Sequence, residues 1–213
     1  MTDTQPIPFA RPWITDEDRQ AVLDVLNGYI LTHGPQCKSF EQEFAEFMGG
    51  GHCVTVSSCM AALHLSYLHF GIGPGDEVIV PAQTHVATVH AVEWVGATPV
   101  FVDCDARTGN MTASAIETAL TPKTKAISVV HFAGIPCDMP PIVDLAQRYN
   151  LRIIEDCAIA LGARHQERHV GLFGDAGCFS FYPVKHMTTG EGGMFVSRHQ
   201  DVAQAVAKLR AFG

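Results

Sequence analysis

The chain has 213 residues, 47% of them apolar and 17% charged, with a formal net charge of −8 at pH 7. This length and composition suit one globular domain with a buried core. The acidic balance and the lack of a basic run argue against a nucleic-acid partner. The sequence contains no window of about 18 uncharged apolar residues, which is the pattern expected of a membrane span. The first residues are neither basic nor apolar, so we expect a cytoplasmic protein.

The seven cysteines have no pair with the spacing of a zinc or redox motif. Because their number is odd as well, we expect free thiols in a reducing compartment, mostly as small core residues.

His165 and His169 have the i, i+4 spacing of two metal ligands. The arginines beside them and the glycines that follow indicate a solvated polar loop instead, and no metal site is predicted.

Two helices are predicted at the start of the chain. Thr15 and Asp18 form a variant of the capping box, which opens the first helix. The second helix has one apolar stripe of Phe40, Phe44 and Phe47, and the glycines at 49–51 end it. We interpret both helices as packing and dimer surface.

Short apolar runs then alternate with helical patterns. The runs predict strands at 53–56, 77–80, 99–102, 125–131, 151–155, 177–181 and 194–197. Helices are predicted at 60–70, 84–95, 112–120, 139–149 and 201–212. The alternation predicts an α/β fold, a three-layer α/β/α sandwich with a mostly parallel seven-stranded sheet.

The segment 178–194 contains a single lysine between an aromatic run and a glycine-rich turn. Lys185 has no acidic neighbour within five residues, and we expect the run before it to be buried. Burial favours the neutral amine, which is the form that attacks a carbonyl. Asp156 follows a predicted strand, where open α/β sheets bind ligands. From spacing alone, these two residues could also form a structural ion pair or be unrelated.

Six segments together resemble the DegT/DnrJ/EryC1/StrS family of pyridoxal-phosphate-dependent sugar aminotransferases, which have the aspartate aminotransferase fold. The segments are SSCMAALH (57–64), GPGDEVIVP (73–81), EDCA (155–158), GD (174–175), FSFYPVK (179–185) and TGEGGM (189–194). They occur in the order of the family, and the resemblance extends from about Trp13 to Gly213.

The resemblance implies pyridoxal phosphate as the cofactor and a role for each matched residue. Lys185 would hold the cofactor as a Schiff base and then act as a base, and Asp156 would keep the ring nitrogen protonated. His85 would stack on the ring. The phosphate would bind at Ser58, Cys59, Met60 and Ser180. Without the resemblance, the serine loop is an ordinary helix cap and His85 an ordinary core or loop histidine.

Two positions depart from the family pattern. Met60 replaces the usual threonine, so one hydroxyl contact to the phosphate is lost, although the backbone donors of the loop remain. Ile159 replaces the glutamine or histidine that commonly contacts the phenolic oxygen of the cofactor. An isoleucine side chain makes no hydrogen bond.

The implied reaction moves an amino group from an amino-acid donor, by resemblance L-glutamate, to a nucleotide-linked keto sugar in a homodimer. We interpret 1–213 as the cofactor-binding large domain, including the N-terminal helices at about 12–48, without the family's small C-terminal domain. One alternative is a sugar dehydratase of the same cofactor class, but Lys185 argues against it because those relatives carry histidine there. Another is a truncated, non-catalytic binding domain, which the departures at Met60 and Ile159 support.

Overall fold

The computed structural model describes residues 6–212, so residues 1–5 and 213 of the predicted domain lie outside the described residues. The helices are α1 (Asp16–Leu26), α2 (Pro35–Met48), α3 (Cys59–His69), α4 (Val86–Trp94), α5 (Ala113–Thr118), α6 (Met139–Tyr149) and α7 (Gln200–Leu209). The strands are β1 (His52–Val56), β2 (Glu77–Pro81), β3 (Thr98–Val102), β4 (Thr124–Val130), β5 (Arg152–Asp156), β6 (Arg164–His165), β7 (Arg168–His169), β8 (Ala176–Ser180) and β9 (Gly193–Ser197). Within residues 6–212, no helix has both the length and the apolar character needed to cross a membrane.

Seven of these strands form one sheet in the order β1-β9-β8-β5-β4-β2-β3. The five strands from β8 to β3 in this order run parallel. Strand β9 is antiparallel to both of its neighbours. The predicted seven-stranded, mostly parallel sheet is therefore confirmed, and every predicted strand boundary lies within one residue of the observed one.

Helices cover both faces of the sheet, which confirms the three-layer architecture. On one face, α3, α4 and α7 bury Leu63, Val92 and Val206. On the other face, α5 and α6 bury Ile116 and Leu145. Helix α2 adds a third cluster against β8 and β9, with Phe44, Phe179 and Phe181 at its centre. Full burial stabilises the fold by roughly 1.5–3 kcal/mol for each side chain of this size.

Helix α1 begins at the predicted capping box. The side chain of Thr15 accepts from the backbone N–H of Asp18, and the carboxylate of Asp18 accepts from the backbone N–H of Thr15. No residue of α1 is buried, and Val22 and Leu26 on its apolar side are 59% and 62% exposed. The helix is thus held by its cap and not by packing on the rest of residues 6–212.

The segment around the two histidines is a hairpin of β6 and β7, and the prediction of a solvated loop is wrong for one of them. His169 is fully buried, and its Nε2 accepts from the backbone N–H of Gly162 at 2.9 Å. Burial lowers the pKa of His169, which favours the neutral ring that this bond requires. His165 lies on the other strand of the hairpin, in register with Arg168.

Candidate active site

The candidate residues lie where β5 and β8 end and where α3 and α4 begin. Successive side chains of a strand point to opposite faces of a sheet. In β5 this alternation places Asp156 on the face covered by α3, where the thiol of Cys59 lies 3.8 Å from its Oδ1. Glu155 consequently points to the other face. This edge corresponds to the position where open α/β sheets bind ligands.

Asp156 is only 6% exposed and is surrounded by donors. The Thr88 hydroxyl donates to Oδ2 at 2.7 Å, and the backbone N–H of Ala158 donates to Oδ1 at 3.0 Å. These two hydrogen bonds offset part of the cost of burying a carboxylate.

Thr88 was not among the residues predicted from the sequence. The residue lies in the first turn of α4, is fully buried, and has the hydroxyl of Thr84 at 2.8 Å from its own. The i, i+4 spacing of the two threonines in a predicted helix was the available signal, because such residues share one helix face. Nothing in the sequence indicated that this face meets Asp156, which is 68 positions away.

The start of α3 has the properties of an anion site. Ser58 is the N-cap, and its hydroxyl accepts from the backbone N–H of Ala61 at 3.0 Å. Cys59 and Met60 are the first two helical residues, and within residues 6–212 no acceptor meets their backbone N–H groups. Free N–H groups at a helix N-terminus attract a phosphate. The Met60 side chain packs on the core cluster beneath α3, so only its backbone is available here.

Strand β9 approaches this helix start closely. A Cβ added at Gly193 would lie 2.4 Å from the carbonyl carbon of Ser58 and 2.6 Å from the nitrogen of Cys59. Only glycine permits this approach. Ser180 pairs with Gly193 in the sheet, so its hydroxyl lies beside the same helix start. The structure therefore brings together Ser58, Cys59, Met60, Ser180 and Asp156.

Lys185 lies in the loop of residues 182–190, which leaves the sheet after β8. The loop is closed at its base by two backbone hydrogen bonds. The N–H of Phe181 donates to the carbonyl of Gly192, and the carbonyl of Phe181 accepts from the N–H of Thr189. The expected burial of this segment is wrong beyond Phe181, because β8 ends at Ser180 and the loop is outside the core. Lys185 itself is only partly buried.

The side chain of Lys185 makes no ion pair within the described part of the chain, so the alternative of a structural pair with Asp156 does not apply. Lys185 instead lines a groove of about 1190 Å³ between its loop and the N-terminal segment that includes Trp13 and Val22. The amine is thus accessible to a small molecule.

His85 is the N-cap residue of α4 and is exposed. Its Nδ1 accepts from the backbone N–H of Ala87 at 3.2 Å, which orients the ring against the first turn of the helix. Ile159 is partly buried in the turn after β5 and provides no side-chain donor or acceptor.

A second polar cluster lies on the opposite face of the sheet. His131 is 3.0 Å from Glu155, and both side chains are fully buried. The carboxylate also accepts from the backbone N–H groups of Gly171, Phe173 and Gly174.

Cys157 lies close enough to this pair to suggest a three-ligand metal site. However, His131 Nδ1 accepts from the backbone N–H of Cys137, so its proton is on Nε2 and faces Glu155. With these hydrogen bonds, the cluster anchors the 171–174 loop.

Comparison with known proteins gives the family. The sequence model of the DegT/DnrJ/EryC1/StrS aminotransferase family matches residues 12–213. The aminotransferase from Psychrobacter cryohalolentis is 42% identical with a TM-score of 0.89, over 93% of this chain and 51% of that one. Helicobacter pylori PseC, an aminotransferase involved in the biosynthesis of pseudoaminic acid, is 32% identical with a TM-score of 0.92, over 98% of this chain and 57% of that one.

The putative sugar aminotransferase Spr1654 from Streptococcus pneumoniae, in its PLP form, is 34% identical with a TM-score of 0.89. The match covers 95% of this chain and 57% of that one. Spr1654 also has a solved PMP form. The chain thus spans about half the length of these solved relatives.

The residues at this edge fit pyridoxal phosphate. The free N–H groups at the start of α3 suit its phosphate, the buried carboxylate of Asp156 suits a protonated ring nitrogen, and the accessible amine of Lys185 suits its aldehyde. The prediction of this cofactor is confirmed by the family and by the PLP and PMP forms of the pneumococcal relative. The chain belongs to the DegT/DnrJ/EryC1/StrS aminotransferase family.

Proposed function

We propose that the protein is a sugar aminotransferase that moves an amino group from L-glutamate to a nucleotide-linked keto sugar. One observation carries this proposal: a buried carboxylate, a helix N-terminus with free N–H groups and a loop with an accessible lysine belong to the same edge of one sheet. Membership of a sugar aminotransferase family supports the reaction class.

When bound, pyridoxal phosphate supplies an aldehyde carbon for an amine and a ring that accepts the electron pair left when the α-proton departs. Lys185 supplies the amine that holds the cofactor. Once the amino donor has displaced it, the same amine accepts the α-proton and returns it elsewhere. The partial exposure of Lys185 suits this role, because the amine must be released and move.

Asp156 keeps the ring nitrogen protonated by accepting its hydrogen bond. Cys59 and Met60 donate their backbone N–H groups to the phosphate, assisted by the helix dipole. Ser58 and Ser180 add hydroxyl donors beside them, and His85 supplies the planar ring that stacks on the cofactor.

We further propose that 1–213 is the large domain of a cytoplasmic, homodimeric enzyme. The coverage of about half of each solved relative supports the domain assignment. The exposed apolar side chains of α1, including Val22 and Leu26, are a surface suited to a partner subunit. The unpaired state of the seven cysteines fits a reducing compartment.

The test is the visible absorbance of the protein with pyridoxal phosphate, before and after L-glutamate. We expect a cofactor band that glutamate bleaches and that a nucleotide-linked keto sugar restores. Lys185→Ala should abolish the band, whereas Lys125→Ala, at an exposed lysine outside the site, should leave it unchanged. A lysine-dependent band that no amino donor bleaches would contradict transamination and favour a non-catalytic domain.

A further inference from the structure

The first turn of α4 connects to Asp156 through a chain of hydroxyl groups. Thr88 Oγ1 lies 2.7 Å from Asp156 Oδ2, and Thr84 Oγ1 lies 2.8 Å from Thr88 Oγ1. Thr88 is fully buried and Asp156 nearly so, whereas Thr84 is only partly buried. The chain thus runs from the partly exposed edge of the site to its most buried charge.

The direction of this chain follows from the chemistry of its members. An ionised carboxylate has no proton to donate, so the single hydroxyl proton of Thr88 points at Asp156. The oxygen of Thr88 then accepts the proton of Thr84. A hydrogen bond to a charged acceptor is about twice as strong as one between neutral groups, and the second hydroxyl polarises the first.

The same bonds limit what Asp156 has left to offer. A carboxylate has about four lone-pair positions. Thr88 occupies one on Oδ2, and the backbone N–H of Ala158 occupies one on Oδ1. The Cys59 thiol lies 3.8 Å from Oδ1, but its single proton has the nearer carbonyl oxygen of Cys178 at 3.3 Å. One position remains on Oδ2, and the Thr88 bond fixes its direction.

We propose that Thr88, with Thr84 behind it, is a positioning residue that aims the open lone pair of Asp156 Oδ2 at the ring nitrogen of the cofactor. The inference rests on the proposed function, because that function puts a protonated ring nitrogen at Asp156. It goes further by naming two residues that act on the cofactor without touching it.

The proposed stacking residue lies at the start of the same helix, as its N-cap. His85 lies between the two threonines, and its carbonyl accepts from the backbone N–H of Thr88 at 3.1 Å. A shift of this turn therefore moves both the group on the ring face and the group that orients Asp156. This coupling distinguishes Thr88 from the other contacts of the carboxylate, which come from outside α4.

The experiment compares two cofactors in three forms of the protein. Dissociation constants of pyridoxal phosphate and of its 1-deaza analogue, in which carbon replaces the ring nitrogen, are measured for the unaltered protein, Thr88→Val and Thr88→Ser. Valine keeps the shape of threonine without its hydroxyl, and serine keeps the hydroxyl. We expect Thr88→Val to weaken pyridoxal phosphate binding by about tenfold. The dissociation constant of the analogue should change by no more than about twofold in Thr88→Val. Thr88→Ser should restore the difference in affinity between the two cofactors that the unaltered protein shows.

Thr84→Val provides a second test that leaves the buried site intact, since Thr84 reaches Asp156 only through Thr88. We expect a smaller loss, about threefold, again confined to pyridoxal phosphate. In an Asp156→Asn background, Thr88→Val should add no selective loss, because the charge on which it acts is gone. Circular dichroism checks that each variant is folded. If Thr88→Val does not fold, the result for Thr84→Val decides the test.

Equal weakening of both cofactors by Thr88→Val would show a purely structural role and overturn the proposal, as would a serine variant that behaves like valine. Failure of the proposed function is recognisable separately. In that case the unaltered protein would bind both cofactors with the same affinity. Lys185→Ala would bind them as tightly as the unaltered protein does.

Discussion

At the scale of single residues, two adjacent carboxylates have different surroundings because strand β5 turns them to opposite faces of the sheet. Glu155 accepts from four donors and has no lone pair to spare. Asp156 accepts from Thr88 and from the backbone N–H of Ala158, and it keeps a position open on Oδ2. Glu155 is therefore suited to hold structure, and Asp156 is suited to receive a ligand.

The first prediction concerns the structural role of Glu155. Glu155→Gln preserves its shape but turns an amide NH₂ toward backbone donors, which leaves buried groups unpaired. We expect the free energy of unfolding to fall by about 3 kcal/mol, measured by urea denaturation.

Glu117→Gln is the matched control. Glu117 pairs with Arg148 on the surface at 3.2 Å, so its loss should cost less than about 1 kcal/mol. Equal effects of the two substitutions would show that the buried network does not stabilise the fold as described.

A second prediction concerns the thiols around Asp156. Burial raises the pKa values of Cys59, Cys157 and Cys178 well above the ordinary thiol value, so the reactive thiolate is scarce at pH 8 and the reagent is excluded as well. In the folded protein, iodoacetamide should label Cys37 and Cys104, which are partly exposed. Mass spectrometry of peptides gives the labelled positions. Rapid labelling of Cys59 in the folded protein would contradict the buried geometry of the site.

At this scale, sequence motifs singled out Asp156 and Lys185 as candidates but did not reveal their surroundings. Thr88 was missed because its contact depends on how α4 sits over β5, which no local pattern encodes. The burial predicted for the run before Lys185 was wrong beyond Phe181 because an apolar run does not tell where a strand ends. Phe181 is in the core, but Tyr182 and Val184 are nearly half exposed in the loop.

At the scale of elements, the proposed phosphate site depends on the approach of β9 to the start of α3. Gly193 is in contact with the backbone of Ser58 and Cys59. The helix start is therefore positioned by a strand that lies near the other end of the chain. Moving either element would turn the free N–H groups away from a phosphate.

A third prediction tests this contact. Gly193→Ala places a methyl group inside contact distance of backbone atoms that cannot move independently, so α3 and β9 must separate. We expect stability to fall by about 1–3 kcal/mol in thermal unfolding, and pyridoxal phosphate binding to weaken at least about tenfold.

Gly73→Ala serves as its control, because a Cβ there meets only the carbonyl oxygen of Val95 at 3.6 Å, an ordinary contact. That variant should keep both stability and cofactor affinity. If Gly193→Ala bound the cofactor as tightly as Gly73→Ala does, α3 would not be the phosphate site.

The elements themselves were predictable to different degrees. The seven strands of the main sheet gave clear apolar runs between turn residues, and their boundaries were predicted within one residue. The hairpin of β6 and β7 was missed, since strands of two residues have no period to detect. The capping box of α1 was visible in the sequence, but the exposure of its apolar side was not.

At the scale of the whole molecule, the sheet order brings together residues that are far apart in the chain. Cys59 and Asp156, which are 97 positions apart, meet because α3 lies over β5 and β8. The alternation of strands and helices predicted a parallel sheet and hence an edge where ligands bind. It did not predict the strand order, because order depends on packing between distant segments.

The proposed function depends above all on Lys185 holding pyridoxal phosphate at this edge of the sheet. The most direct measurement is to incubate the protein with the cofactor, reduce it with borohydride and map the modified peptide by mass spectrometry. We expect one phosphopyridoxyl group per chain, located on Lys185, and none above background in Lys185→Ala. A label spread over the exposed lysines, or one that persists in that variant, would contradict it.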